Sequence, residues 1–438
     1  MTTPTSTTQQ DNMLAGWRLA LAGAQMLFVA FGALVLVPLI TGLNPSVALF
    51  TAGLGTLIFQ LCTKRSMPVF LGSSFAFIAP IIFAVETWGQ AATMGALFCA
   101  GLVYVLLSIL VAIRGPGFLH RLLPPVVTGP IIMVIGLGLA PVAVNMALGK
   151  AGDGSVQLFP YADAILVSMP ALLTTLLVAT YAKGVFRLVP IIAGVVVGYV
   201  VSLFMGIVDF TNVQQAGWLS VPAFIMPEFH LAAILFMLPV AIAPAIEHVG
   251  DVLAIGSITG KDYVQKPGLH RTLLGDGLAT SAASLFGGPP NTTYSEVTGA
   301  VMLTKAFNPV VMTWAAVFAI ALAFIGKFGT MLQTIPSPVM GGIMILLFGS
   351  IAGVGMNILI KSRVDLGVQR NLVIVAVTLV FGIGGMTLGS SGWHLQGVSL
   401  CGLVAIFLNL ILPHADQTND LHEEQEVVED MVHHGESK

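Results

Sequence analysis

Gly287-Gly-Pro-Pro-Asn-Thr-Thr-Tyr-Ser-Glu-Val-Thr-Gly299 cannot open as a helix. Paired glycines and prolines followed by β-favouring residues hold its first part extended, and helical spacing becomes possible only later. Yet it lies in a chain of 438 residues with 56% hydrophobic and 8% charged residues and a mean hydropathy of +0.94, where an ordinary soluble domain carries about a quarter charged residues. Apolar stretches near the roughly 20 residues needed to cross a bilayer recur from Trp17 to Pro413. The quoted segment is therefore irregular backbone at membrane depth, which lipid cannot hydrogen-bond and which survives only buried in protein or lining a cavity. Pro68-Val-Phe-Leu-Gly-Ser-Ser-Phe-Ala-Phe-Ile-Ala-Pro80 has the same character in the other half of the chain. A matched pair of interrupted spans points to a substrate site, because half-helix N-termini leave backbone donors free.

Working outward, apolar runs and breakers give about fourteen spans, beginning near residues 17, 46, 68, 90, 125, 160, 186, 229, 271, 290, 309, 337, 370 and 395. The loops alternate in charge. Those with Lys64 and Arg65, Arg114 and Arg121, Lys183 and Arg187, Lys261, Lys266 and Arg271, Lys305, and Lys361, Arg363 and Arg370 fall on one side. The other side holds only Lys150 and Lys327. Retention of Lys and Arg in the cytoplasm puts both termini inside, as an even span count requires. Trp17, Trp88, Trp218, Trp314 and Trp393 sit near span ends and read as headgroup anchors. The first sixteen residues lack the basic start, short apolar run and cleavage site of a secretory signal.

Leu123-Pro-Pro-Val-Val-Thr-Gly-Pro-Ile-Ile-Met133 aligns with Ile335-Pro-Ser-Pro-Val-Met-Gly-Gly-Ile-Met-Ile345, about half a chain away, and this places Asn145 on Asn357. An odd number of spans per half sends the second half through the membrane in the opposite sense. The expected fold is an all-α polytopic membrane protein, 14 spans as a 7+7 inverted repeat with two broken spans, an architecture many secondary transporters use for alternating access.

Acids inside this apolar chain carry the chemistry. Glu247 and Asp251, in Leu238-Pro-Val-Ala-Ile-Ala-Pro-Ala-Ile-Glu-His-Val-Gly-Asp-Val-Leu253, share a helix face at i, i+4 spacing. Glu296 stands in the second broken span and Asp276 in the span between. A carboxyl at membrane depth is costly and by default functional, although one bonded to a neighbouring helix is the plain alternative. No Lys or Arg is expected at mid-depth beside them. Desolvation favours a neutral carboxyl, so one of these acids is a candidate proton carrier. The missing buried cation argues against an inorganic anion as substrate and suits a neutral planar molecule whose N–H groups meet carboxylates and whose carbonyls meet backbone amides. His248 points elsewhere on the helix and is a candidate relay or a satisfied core histidine. Tyr294 and Phe75 could sandwich a planar ligand or simply pack. Cys62, Cys99 and Cys401 lie in apolar segments without metal-ligand spacing, and a net charge of −3 suggests no nucleic-acid partner. No nucleophile–base pair or metal cluster suggests an enzyme.

At these residues the chain resembles the nucleobase-ascorbate transporter (nucleobase:cation symporter, uracil-xanthine permease) family, and within it the bacterial uracil:proton symporters, from Ala24 to Pro413. The resemblance is carried by Leu71-Gly-Ser-Ser-Phe-Ala-Phe77, Glu247-His-Val-Gly250, Lys266-Pro-Gly-Leu-His-Arg271, Pro290-Asn-Thr-Thr-Tyr294 and Pro338-Val-Met-Gly-Gly342. It implies a core domain (spans 1–4 at 17–115 and 8–11 at 229–330) beside a gate domain (spans 5–7 at 120–210 and 12–14 at 335–413), short β-strands in the broken spans, and dimerisation through the gate. Carried over by position, Glu247 and Glu296 accept N–H bonds from the base and the backbone amides at Phe75 and Ser295 meet its carbonyls, with Ser74, Tyr294 and Gln25 as further substrate-binding positions. Asp251, Glu247 and His248 are the candidates for proton coupling. Departures from the family pattern are Val297 where Asn is usual, Ser295 where the uracil group tends to have Gly, Met26 where it has His, and Asp251 where it has His.

The expected function is proton-coupled import of a nucleobase, uracil first, across the inner membrane, with the proton as the only co-substrate and no cofactor or metal. The alternatives are a purine permease for xanthine or uric acid, and a passive facilitator. Residues 1–16 read as a cytoplasmic N-terminus, and 414–438, acidic and carrying His414, His422, His433 and His434, as a disordered cytoplasmic tail.

Overall fold

The computed structural model describes residues 6–390 and 393–413; the expectation for 414–438 lies outside them, as does the side chain of Trp393. The first half comprises α1 (Ser6–Thr41), α2 (Pro45–Cys62), β1 (Leu71–Ser73), α3 (Ile78–Trp88), α4 (Gln90–Arg114), the short α5 (Gly117–Leu122), α6 (Pro125–Gly138), α7 (Ala140–Ala147), α8 (Tyr161–Tyr181) and α9 (Pro190–Phe204). The second comprises α10 (Thr211–Gln215), α11 (Leu231–Met237), α12 (Ile242–Thr259), α13 (Leu269–Leu285), β2 (Asn291–Thr293), α14 (Ser295–Thr304), α15 (Val310–Ala323), α16 (Gly326–Gln333), α17 (Ser337–Lys361), α18 (Gln369–Ile383), the hairpin β3 (Thr387–Ser390) and β4 (Trp393–Gln396), and α19 (Gly397–Ile411). Among the described residues, 7 helical segments are long and apolar enough to cross a membrane, and five shorter apolar helices accompany them.

Local chemistry explains where these helices begin and end. Asn44 caps α2, accepting from Ser46 N at 2.8 Å and Val47 N at 3.3 Å, with Pro45 in the first turn where its missing N–H costs nothing. Gly89 and Gly115, at φ 85° and 78°, bracket α4, and Gly260 closes α12 in the left-handed conformation. In the loops, Asp153 accepts from Ser155 N and Oγ and Asp209 from Thr211 N and Oγ1, bonds that hold both carboxyls below their ordinary range.

Helices α2, α4, α13 and α15 pack on one another, as do α6, α7, α8 and α17. Close approach in the first group rests on small residues: a Cβ at Gly101 would meet Gly277 O at 2.7 Å, and Ser281 Oγ, one turn on, donates to Phe98 O at 3.1 Å. Trp17 and Trp218 are largely exposed, with Lys327 Nζ 5.0 Å from the Trp218 ring, as anchors at a headgroup level would be.

The two interrupted spans meet. Three-residue strands β1 and β2 pair antiparallel, Leu71 opposite Thr293, Gly72 opposite Thr292 and Ser73 opposite Asn291. All six residues are buried, so their outward-facing backbone groups need partners. Flanking helices supply them. Thr56 of α2 accepts from Leu71 N at 2.9 Å, and Thr280 of α13 donates to Asn291 O at 2.8 Å. Asn291 Nδ2 also donates to Thr51 O at 2.8 Å, tying the second broken span to the first half. One hydroxyl on each outer edge is how a two-stranded sheet persists without a third strand.

Candidate functional site

Each strand turns directly into a helix. Beyond β1 a 3₁₀ turn at Phe75–Phe77 leads into α3; beyond β2 the chain enters α14 at Ser295. Neither helical start has a side-chain cap, the preceding residues being Ser74 and Tyr294 in extended conformation. First-turn N–H groups at Phe75 and Ser295 are thus left for another acceptor, and they carry the positive end of the helix dipole.

A cavity of about 730 Å³ adjoins these starts. Phe75, Thr292, Thr293, Tyr294 and Glu296 form one wall, and Glu247, Gly250 and Asp251 of α12 form the next, as their i, i+3, i+4 spacing dictates. Opposite them stand Pro125, Thr128 and Ile132 of α6 and a stripe of α17 from Leu347 to Lys361. Three carboxyl groups thus open into a largely apolar chamber, the composition typical of a small-molecule site. Asp251 is held in place by Thr293, whose Oγ1 donates to its Oδ2 at 2.6 Å.

Tyr294 Oη donates to Ser73 O at 2.9 Å, locking a side chain of the second broken span onto the strand of the first. Its ring lies parallel to that of Phe75, 3° apart in plane with centroids at 6.3 Å. That separation is within the 4.5–7 Å over which ring pairs interact, and both residues line the cavity. The Ser74 hydroxyl is buried without a hydrogen-bond partner and does not line the cavity. Gln25 is half-buried on α1, also away from the cavity wall.

His248 turns its back on the chamber. It is fully buried, with Nδ1 3.4 Å from Asp276 Oδ2, an ion-pair distance without hydrogen-bond geometry. Thr292 Oγ1 reaches the same carboxylate oxygen at 3.5 Å. Asp276 and His248 therefore form a second polar layer behind β2. Sequence reasoning did not find the α17 stripe, although Ser350, Val354, Asn357 and Lys361 recur at helical spacing. No cluster of three or more metal-ligating side chains occurs among the described residues.

The sequence profile of the Permease family (Xan_ur_permease) matches residues 18–391. The chain belongs to that family. It is 63% identical over 399 residues to the "Probable uracil permease" of Pasteurella multocida, covering 91% of this chain and 94% of the relative. It is 61% identical over 393 residues to the "Probable uracil permease" of Haemophilus influenzae, covering 90% and 94%. Among solved structures it resembles the transmembrane domain of a cyanobacterial bicarbonate transporter, BicA, with a TM-score of 0.63 over 90% of this chain and 97% of that one; at 15% identity the likeness concerns the fold alone. As a member of a permease family the chain is a multi-pass inner-membrane transporter, not an enzyme.

Proposed function

We propose that the chain imports a nucleobase, uracil first, by proton symport. The observation that carries the reading is the placement of Glu247, Asp251 and Glu296 on one chamber next to two uncapped helix starts. A pyrimidine dione offers both complements, ring N–H groups for Glu247 and Glu296 and carbonyl oxygens for the amides of Phe75 and Ser295. Tyr294 and Phe75 supply a flat apolar floor beneath it. The names of the relatives at 63% and 61% identity favour uracil over a purine. Among the described residues no Lys or Arg is buried, and one of the acids is the natural seat of the coupling proton. Asp251, with Glu247 beside it, is that seat, while His248 and Asp276 support β2 from behind.

The architecture supporting this reading is fourteen crossings in two inverted halves, both termini cytoplasmic. Seven long and five shorter apolar helices, taken with α13 and α14, support that count, and Thr56 and Thr280, each on the helix before a broken span, both bond the first residue of the strand that follows. Helices α1–α4 and α11–α15 form a core; α6–α9 and α17–α19 form a gate through which two copies associate. The chamber lies between them and opens toward Lys361 and Ser362, the positive, cytoplasmic side, so this conformation faces inward.

Uptake of radiolabelled uracil in a strain lacking its own permeases tests the proposal. We expect accumulation above the external concentration, abolished by a proton uncoupler and by Glu247→Gln. Equilibration insensitive to the uncoupler identifies a facilitator, stronger uptake of xanthine or uric acid a purine permease, and uptake of no nucleobase refutes the reading.

A further inference from the structure

Helix α17 presents a face to the chamber that includes Leu347, Ser350, Val354, Asn357 and Lys361. Ser350 satisfies itself by donating to Leu346 O at 2.8 Å on its own helix. Asn357 is different. It is exposed, it lines the cavity, and its carboxamide makes no hydrogen bond to any described residue. A bare amide on an otherwise apolar membrane helix is costly toward lipid and tolerated toward a water-filled passage. Asn357 lies one helical turn, about 6 Å, from the Lys361 end, and two turns, roughly 10 Å, beyond Ser350. It therefore belongs to the mouth of the chamber, not to its floor.

The space is large enough for a second station. A volume of about 730 Å³ falls in the range of roughly 300–1,000 Å³ that takes a drug-sized ligand, far more than a single-ring base fills. An amide also has the right chemistry: it offers donor and acceptor side by side, the pairing that an adjacent N–H and C=O of a base complete. Asn145, on which Asn357 falls in the repeat, shows what such an amide takes up when something is within reach. Its Nδ2 donates to the carbonyl of Gly152 at 3.1 Å, in the loop that follows α7. Asn357 has no such loop over it.

We propose that Asn357 is the centre of a second, weaker nucleobase-binding station in the mouth of the chamber, occupied by the cargo between the glutamates and the opening. It rests on the nucleobase reading above. The ligand class is a neutral heterocycle with neighbouring N–H and carbonyl groups.

Saturation-transfer NMR of uracil with the purified full-length protein separates the two stations. In Glu247→Gln, which disables the inner station, the uracil signal is expected to persist with at least tenfold weaker affinity than wild type. In Glu247→Gln/Asn357→Ala it is expected to vanish, and in Glu247→Gln/Asn357→Gln, which keeps a carboxamide, to return. Glu247→Gln/Asn357→Ala should keep the thermal midpoint of Glu247→Gln, so that loss of the signal reports the station and not the fold. Absence of signal in Glu247→Gln, or its survival in the alanine double variant, overturns the station. A wild-type protein that responds to no nucleobase overturns instead the reading on which it rests.

Discussion

Gly72→Ala is a one-methyl change that should disable the site through the ring of Tyr294. An ideal Cβ at Gly72 would stand 2.5 Å from Cζ and 2.6 Å from Cε2 of Tyr294, whereas non-bonded carbons settle at about 3.5–4.0 Å. The ring must retreat by about 1 Å to accept the methyl. It has little freedom to do so, being 3% exposed and bonded through Oη to Ser73 O at 2.9 Å. Overpacking of this kind costs about 1–3 kcal/mol, and loss of the Tyr294–Ser73 bond adds about 1 kcal/mol. The expected destabilisation is therefore about 2–4 kcal/mol, with the Phe75–Tyr294 floor displaced. Chemical denaturation in detergent measures the first effect. Equilibrium uracil binding measures the second, expected as a loss of tenfold or more. A double-mutant cycle with Tyr294→Ala isolates the cause, since alanine at position 72 should cost at least about 1 kcal/mol less once the ring is gone. Equal cost in both backgrounds, or wild-type stability and affinity in Gly72→Ala, refutes the reasoning.

Gly250 gives the opposite case: a Cβ there meets nothing within 4 Å and the residue lines the chamber. Gly250→Ala should therefore preserve transport and gain up to about 1 kcal/mol from helix propensity, while Gly250→Phe should block uptake with the thermal midpoint unchanged; a transporting phenylalanine variant would place the passage elsewhere. Asp251→Asn keeps the size of the side chain and removes its proton. It should bind uracil within about threefold of wild type, a change of about 0.7 kcal/mol or less, but fail to concentrate it, and uncoupler-sensitive accumulation by this variant would take Asp251 out of the coupling step.

The broken spans were legible in the sequence because their signal is local: Pro289 and Pro290 each push the preceding residue toward extended backbone, and Gly287 and Gly288 weaken a helix there. The shared face of Glu247 and Asp251 was legible for the same reason, since four residues of helix fix the angle between them. What stayed hidden depends on contacts between distant segments. Nothing in the neighbourhood of His248 announces that Asp276, on another helix, will meet its Nδ1 behind the site. Nor does the composition of α2 or α13 reveal that Thr56 and Thr280 each complete a strand edge. Phe75 and Tyr294 were paired as aromatic candidates in the sequence, but only the fold sets their rings parallel, with centroids 6.3 Å apart. Asn357 was legible only as the repeat partner of Asn145, because a lone amide has further meaning only once the helix face that carries it is known.

The pairing of β1 with β2 has a consequence for how the protein is made. Ser73 and its partner Tyr294 are 221 residues apart in the chain, which at a synthesis rate of about 5–20 residues per second is a wait of roughly 10–45 s. Throughout that interval Leu71–Ser73 has entered the bilayer without the strand that satisfies its inner edge. The N-terminal half is therefore unfinished by construction. It must stay sheltered at the site of insertion until its sequel emerges, and ribosome stalling between the halves should leave a degradation-prone fragment, not a stable domain.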